Sequence, residues 1–425
     1  ILGHPSCTVR HLEAHRWGYA LPERALPEPY LWQPELRVGA CGDWCVYGRV
    51  EGAFLSATDL ADRLLPWQDL RCARLRPVVH EERLRRAAAP LVGELDVASF
   101  TVAEAIRGSV VETPCVQSQK LSEITGAEVS LKLENLQHTG SFKLRGAANC
   151  LLSLPQKRRD RGCVAASSGN HGAAVAYAMR ALGVGGVIFV PEQTSPAKVE
   201  AIRSFGGQVQ FFGTDGLDTE QHARAFAEQE GLYYISPYND AAVVAGQGTC
   251  GVEIVEQLPN IDAIFIAVGG GGLLSGVGSV LKSADPGTRI YACQPAASAV
   301  MAKSVAAGRI LDLPSEPTLS DGTAGGVEAD AITFPLCREL ADEFLLVDEP
   351  AIAAAMRDYI DAEEYTIEGA AGVAIAAMLE HAKSIRGRRV VVIICGGNVS
   401  SEVLDSLPTA GRKRRAQGVR DPVLR

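Results

Sequence analysis

The sequence predicts an α/β protein whose mostly parallel sheet is covered by helices on both faces. Strand-like and helix-like segments alternate from residue 98 to about 405, and a chain that returns through a helix after each strand pairs its strands in parallel. Two strand segments, 261–268 and 390–394, are strongly apolar, which suits burial on both faces. Pro and Gly punctuate the segments, as at Pro155, Pro191 and Gly206-Gly207.

Residues 1 to about 75 differ from the rest. They are rich in Pro and carry Trp17, Trp32, Trp44 and Trp67. Cys41-Gly42-Asp43-Trp44 and the run from Gly48 to Ser56 lead into a helical pattern through Leu64. Residues 76–97, with Arg83, Arg85 and Arg86, read as a linker. A helix over 102–107 then precedes Thr113-Pro114, and 129–134 alternates apolar and polar with the period of a strand. A helix from Lys143 runs to about 154 and stops at Pro155. Strands are expected at 163–166, 187–190, 208–212 and 232–235, and helices at 171–182, 198–205 and 219–230. The strand at 261–268 leads to a helix at 273–282 and a strand at 289–293. Helices at 350–361 and 370–381 and the strand at 390–394 complete the series.

A chain of 425 residues can bury a large core. Its 47% hydrophobic and 21% charged residues are the balance of a soluble globular enzyme. A net charge of −9 argues against a nucleic-acid or anionic-membrane surface. The basic run Arg412-Lys413-Arg414-Arg415, in a tail over 411–425, reads as solvated chain. Eleven scattered cysteines make no disulfide framework, and Cys41 with Cys45 lacks the second pair that zinc needs. No apolar run is long enough to cross a bilayer, and no secretory signal is evident. The expected compartment is the reducing cytoplasm.

Four stretches carry chemistry. In the first, Gly140-Ser141-Phe142-Lys143-Leu144-Arg145-Gly146, a lysine enters a helix N-terminus, where the dipole and free N–H groups disfavour a cation. Its amine should lose a proton more readily than a free lysine, and a neutral amine is what Schiff-base chemistry requires. The second, Ser167-Ser168-Gly169-Asn170-His171-Gly172, joins a strand to a helix, so its N–H groups face an anion. The third is Gly269 to Gly272 followed by Leu273, again between strand and helix, a turn whose backbone can close around a phosphate. It matches neither G-x-G-x-x-G nor G-x-x-x-x-G-K-[ST], which points to a lone phosphate ester rather than a dinucleotide or a nucleoside triphosphate. The fourth, Cys395-Gly396-Gly397-Asn398, ends the last apolar strand.

As an ordered set over residues 98 to 405, these motifs resemble the pyridoxal-phosphate enzymes of fold type II, in particular the threonine/serine dehydratase and serine racemase family. The resemblance implies two αβα domains with pyridoxal 5'-phosphate in the cleft: a large one from 98–159 and 233–410, and a small one at 160–232. Lys143 would hold the cofactor and act as general base, with Phe142 beside it. Gly269, Gly270, Gly271, Gly272 and Leu273 would cradle the phosphate. Ser167, Ser168, Gly169, Asn170 and His171 would form the substrate loop. In it, Ser168 would lie on the face opposite Lys143, Asn170 would bond the phenolic oxygen, and His171 would have no catalytic role. Cys395 would face the pyridine nitrogen as a neutral partner, Gly322 in Ser320-Asp321-Gly322 would lie against the ring, and Asn239 would face the site. The implied activity is dehydration of small β-hydroxy amino acids such as L-threonine or L-serine, by a homodimer that binds no nucleic acid and no membrane. Serine racemase and the dehydratase of hydroxyectoine breakdown remain open, as do a non-catalytic binding protein and, from residues 1–75 alone, a flavin oxidoreductase remnant.

Two departures stand out. Serine racemases bind Mg²⁺ or Ca²⁺ through a Glu, and an Asp six residues on, after the strand at 289–293; this chain has Gln294 and Val300 there, so no metal is expected. Residues 1–75 resemble instead the C-terminal end of renalase-like flavin amine oxidoreductases. They lack the glycine-rich turn of a flavin domain and read as a fragment joined by gene fusion or a reading-frame error.

Overall fold

The computed structural model describes residues 31–33, 38–40, 95 and 98–408. Apart from two short strands, the expected flavin-enzyme-like fragment lies outside the described residues; so do nearly all of the linker and all of the basic tail. The chain divides into two units, Ile1–Ala87 and Ala88–Arg425. In the first, β1 (Leu31–Gln33) pairs antiparallel with β2 (Val38–Ala40). All that follows concerns the second.

Its larger sheet has six strands: β3 (Cys115–Gln117), β4 (Glu128–Leu133), β9 (Ala263–Ala267), β10 (Arg289–Pro295), β11 (Glu343–Val347) and β12 (Arg389–Ile394). They lie in the order β11-β10-β9-β12-β4-β3, all parallel except the edge pair β3–β4. The last strand, β12, thus inserts between β9 and β4. Because β9, β12 and β4 run the same way, the glycine turn after β9, Cys395 after β12 and the lysine loop after β4 emerge at one edge. Ligands in open α/β sheets bind at this carboxyl edge.

The smaller sheet is fully parallel, β7 (Val209–Phe211), β6 (Gly186–Val190), β5 (Cys163–Ala166) and β8 (Tyr233–Tyr234), in that order. Side chains alternate across it. Cys163 and Ala165 pack with the helix Asn170–Leu182, while Val164, Val187 and Phe189 meet Ala223 and Ala227 of the helix Gly216–Glu230. The smaller sheet and its core cluster draw on residues on both sides of 160–232. β8 begins at Tyr233, and Leu144, Ala147 and Leu151 of the helix Lys143–Ser153 belong to the same core cluster.

The longest helix among the described residues, Ala241–Gln257, was missed by pattern reading because Gly246, Gly248 and Gly251 interrupt it. These glycines serve packing. A Cβ on Gly246 would fall 2.5 Å from the Arg145 carbonyl oxygen, and one on Gly276 would fall 2.5 Å from the Gly248 nitrogen. The helices Lys143–Ser153, Ala241–Gln257 and Gly272–Ala284 therefore meet backbone to backbone.

A buried ion network secures the start of the lysine helix. Arg145 forms a fork on Glu134 (Nε and Nη2, both 2.8 Å) and reaches Glu253 (Nη1 2.5 Å, Nη2 2.7 Å). Lys132 adds bonds of 2.6 Å to Glu253 and to the Thr113 carbonyl. Two cations meet two carboxylates, so charge balances where water is excluded. Burial alone would raise the Glu134 carboxyl, but Arg145 outweighs it and the group lies below its usual range.

Candidate active site

Lys143 is the first residue of its helix, as the sequence predicts, and its Nζ donates to the Pro237 carbonyl at 2.9 Å. Its pKa falls to about 8, chiefly through burial, against the opposing pull of Glu368 and Cys395. Sequence reasoning assigned the drop to the helix N-terminus; burial is the larger cause. Phe142 is half-buried against the large core, with Nζ of Lys143 5.2 Å from its ring centre.

The segment that receives the lysine also closes the glycine turn. A Cβ on Gly272 would meet Tyr238 at 3.1 Å and the Pro237 oxygen at 3.8 Å, and one on Gly270 would enter the Tyr238 ring. Gly271, at φ +86°, turns the chain into the helix Gly272–Ala284 and has no side chain to cap it, so the first-turn N–H groups are left for an anion. Leu273 is buried in the core and can offer only its backbone.

Cys395 comes to the same place through the backbone. The Phe142 N–H donates to the Cys395 carbonyl at 3.1 Å, Gly397 N–H donates to Gly140 at 2.9 Å, and Ser141 bridges to Gly396. Burial, and then the charge of Glu368, push the Cys395 thiol far up, so it stays protonated. Its Sγ lies 3.8 Å from Oε1 of Glu368.

Glu368 was missed by sequence reasoning. It is buried at the start of the helix Gly369–Glu380, and burial lifts its pKa to about 7. Nothing in the alanine-rich run around it signals a site. Gly322 leaves space beside it: the nearest atom to a Cβ there would be Glu368 Oε1 at 3.8 Å.

Asn170 starts the helix Asn170–Leu182, whose cap residue Gly169 provides no side-chain bond. The Asn170 amide donates to Glu368 Oε2 and accepts from Asn398, both at 2.7 Å. Ser167 and Ser168 form the preceding turn, where the Ser167 hydroxyl accepts from the Gly169 N–H at 3.2 Å. His171 bonds the Ile235 carbonyl through Nε2 at 2.9 Å, and its pKa is held down to about 3 by burial and then by Lys143. Its ring is thus neutral and already committed; only its backbone can serve a substrate.

Asn239 follows Tyr238 in the segment that receives the lysine. Its amide nitrogen donates to Glu328 at 2.9 Å and Asp330 at 3.3 Å, and its oxygen accepts from Ile332 N–H at 2.9 Å, so both ends are engaged with the 328–332 segment. Its neighbours Pro237 and Tyr238 are the residues that border the lysine and the glycine turn. Gln294, at the expected cation position, is buried; it donates to the Val268 carbonyl at 3.0 Å and accepts from Ala302 N–H at 2.7 Å.

These residues fit pyridoxal phosphate: an amine whose pKa is lowered to about 8, an uncapped glycine turn for the phosphate, and a neutral thiol. The buried hydroxyls of Thr139 and Ser141 in the lysine loop lack protein partners, as in a site built for a polar ligand.

The sequence profile described as "Pyridoxal-phosphate dependent enzyme" matches residues 106–396. The chain is 37% identical to the L-threonine ammonia-lyase of Thermotoga maritima, with 72% of this chain and 76% of that one covered.

 The alignment with the Thermotoga enzyme spans 306 residues. Among solved structures, the processed form of threonine deaminase isoform 2 from Solanum lycopersicum superimposes with a TM-score of 0.71 at 35% identity, covering 74% of this chain and 92% of that one. Maize serine racemase gives a TM-score of 0.70 at 33% identity, covering 73% and 95%. With this fold, this site and a profile matching more than half its length, the chain belongs to the family of pyridoxal-phosphate dependent enzymes.

Proposed function

We propose that this enzyme is a dehydratase (ammonia-lyase) of small β-hydroxy amino acids such as L-threonine or L-serine, releasing a 2-oxo acid and ammonia. The observation that carries the reading is the meeting of a lysine of lowered pKa, an uncapped glycine turn and a neutral thiol at one sheet edge. The likeness to an L-threonine ammonia-lyase and a threonine deaminase supports it.

When bound, pyridoxal phosphate supplies a carbonyl for the substrate amine and a conjugated ring that accepts electrons from the α-carbon. The N–H groups of Gly269 to Leu273 would hold its phosphate. The backbone of the Ser167 to His171 loop, at the uncapped start of a helix, binds the substrate carboxylate. Lys143, with a pKa near 8, has a neutral fraction at physiological pH and removes the α-proton. A Cys395 thiol that keeps its proton would not protonate a ring nitrogen placed beside it, so charge arriving at the α-carbon would best be discharged by expelling the β-hydroxyl. A reducing cytoplasm suits the seven free cysteines of the described residues, and the assembly is expected to be a homodimer.

A 2-oxo acid assay across a panel of β-hydroxy amino acids tests this. Turnover of L-threonine or L-serine is expected; no 2-oxo acid from any of them would end the dehydratase reading. The likeness to maize serine racemase favours racemisation as the second reading. Racemisation needs a proton from the face opposite Lys143, and Ser168 is the residue we assign there. Pyruvate should outpace D-serine from L-serine, and Ser168→Ala should remove the D-serine while leaving elimination measurable. D-Serine forming faster than pyruvate in the wild type, seen by chiral chromatography, would replace the first reading with the second.

A further inference from the structure

The hydrogen bonds around Asn170 have a direction, and it can be traced from a group whose role admits no choice. The Thr139 carbonyl can only accept, and it takes a bond of 2.8 Å from the side-chain nitrogen of Asn398. The second hydrogen of that nitrogen goes to Asn170 at 2.7 Å, so Asn170 must present its oxygen there. Its nitrogen then faces Glu368 Oε2 at 2.7 Å, and Glu368 must accept. One N–H of Asn170 remains unassigned by these bonds.

The chain of bonds also crosses the molecule. Asn170 starts a helix that packs in the core of the small sheet, whereas Glu368 and Asn398 belong to the large-sheet rim on either side of β12. Glu368 is held firmly for this task. Its backbone N–H donates to Gly396 at 3.1 Å, and a Cβ on Gly396 would fall 2.6 Å from its carboxyl group.

We propose that Glu368 is a positioning residue: with Asn398 it fixes which way the Asn170 amide is turned, and so reserves one Asn170 N–H for the phenolic oxygen of the cofactor. The role requires an accepting oxygen at Glu368, not a charge. Either protonation state can provide it, because a protonated carboxyl keeps Oε2 as acceptor and places its proton on Oε1, beside the Cys395 sulfur. The charged or titratable groups nearby are Lys143, Cys395 and Asp321. The inference rests on the cofactor assignment but not on the identity of the substrate.

The test uses the full chain with added pyridoxal phosphate and no substrate, reading the visible absorption band and the cofactor Kd. Glu368→Gln retains an accepting oxygen and should keep the band, with Kd within about twofold of wild type. Glu368→Leu should raise Kd tenfold or more and move absorption to shorter wavelength. In an Asn170→Ala background the same Leu substitution should cost no more than about twofold, because the amide it orients is gone. Asn398→Ala, at an exposed position, should reproduce the spectral shift and provides the answer should Glu368→Leu fail to fold. Equal cost of Glu368→Leu with and without Asn170, Gln as damaging as Leu, or an unshifted Asn398→Ala spectrum would each overturn the proposal while leaving the cofactor assignment intact. A wild type that binds no pyridoxal phosphate would overturn both.

Discussion

Lys143 and Arg145 stand two residues apart on one helix, Lys143 half-buried and Arg145 fully buried, yet their surroundings shift them in opposite directions, the lysine toward losing its proton and the arginine toward keeping it. Arg145 meets two carboxylates in fork geometry, Lys132 completes the balance, and Glu134 stays ionised. Lys143 has only a carbonyl within bonding distance, and Glu368, Cys395 and His171 around it all shift toward their neutral forms. The first cluster solves the problem of buried charge by pairing, and pairing leaves it chemically inert. In the second, burial shifts the groups toward their neutral forms, which leaves proton donors and acceptors near the pH at which an enzyme works.

The largest expected effect breaks the second cluster alone. Lys143→Ala should lower turnover at least about a thousandfold, roughly 4 kcal/mol in barrier, and remove the visible absorption of the bound cofactor. Thermal unfolding should remain cooperative, since no ion pair is lost. A variant with an unchanged cofactor spectrum would show that another residue holds the cofactor.

Arg145→Ala breaks the first cluster instead. It leaves Glu134 and part of Glu253 as unpaired buried charges, a loss of about 3–5 kcal/mol in stability, measurable by denaturant unfolding. A variant as stable as wild type would mean that water enters the network and that the contrast between the clusters is weaker than the geometry implies.

A third prediction separates the clusters by pH. Glu368 in the folded protein keeps its proton up to about pH 7, whereas the unfolded chain releases it in the ordinary glutamate range. The folded state binds more protons in that window, so this carboxyl group makes stability fall as pH rises through it. Above about pH 7 both states are ionised and the loss is complete. Melting temperatures from about pH 5 to pH 7.5 should therefore fall less steeply in Glu368→Gln than in wild type. Parallel curves would refute the raised carboxyl.

The smallest effect concerns the glycine turn. The Gln294 amide spans Val268 and Ala302, and no carboxylate occupies positions 294 or 300. EDTA should change neither activity nor melting temperature measurably. A drop reversed by Mg²⁺ would reveal a cation held by other oxygens.

Much of this was legible in the chain because local pattern encodes local structure. The strand at 163–166 has the predicted bounds, and the helix from Lys143 ends where Pro155 requires. The strongest motifs sit where a strand hands over to a helix, and the fold makes such junctions into anion sites. Residues whose part depends on distant partners were not legible. Asn239 sits in a motif-like stretch, but its amide is captured by Glu328 and Ile332, about ninety residues on. The helix Ala241–Gln257 hides behind glycines that make sense only once two neighbouring helices press against them.

By itself the sequence determined the kinds of element, the loops at their ends and the presence of a lysine, a glycine turn and a thiol in suitable contexts, because side-chain periodicity and Gly/Pro chemistry act within a few residues. Tertiary structure alone decided that β12 lies between β9 and β4, which brings Cys395 to the lysine loop, and that Glu368 reaches Asn170 across 198 positions of sequence. It also decided which buried groups keep their charge. That depends on how much water is excluded and on which partner stands within bonding distance, and neither is written into a local stretch of chain.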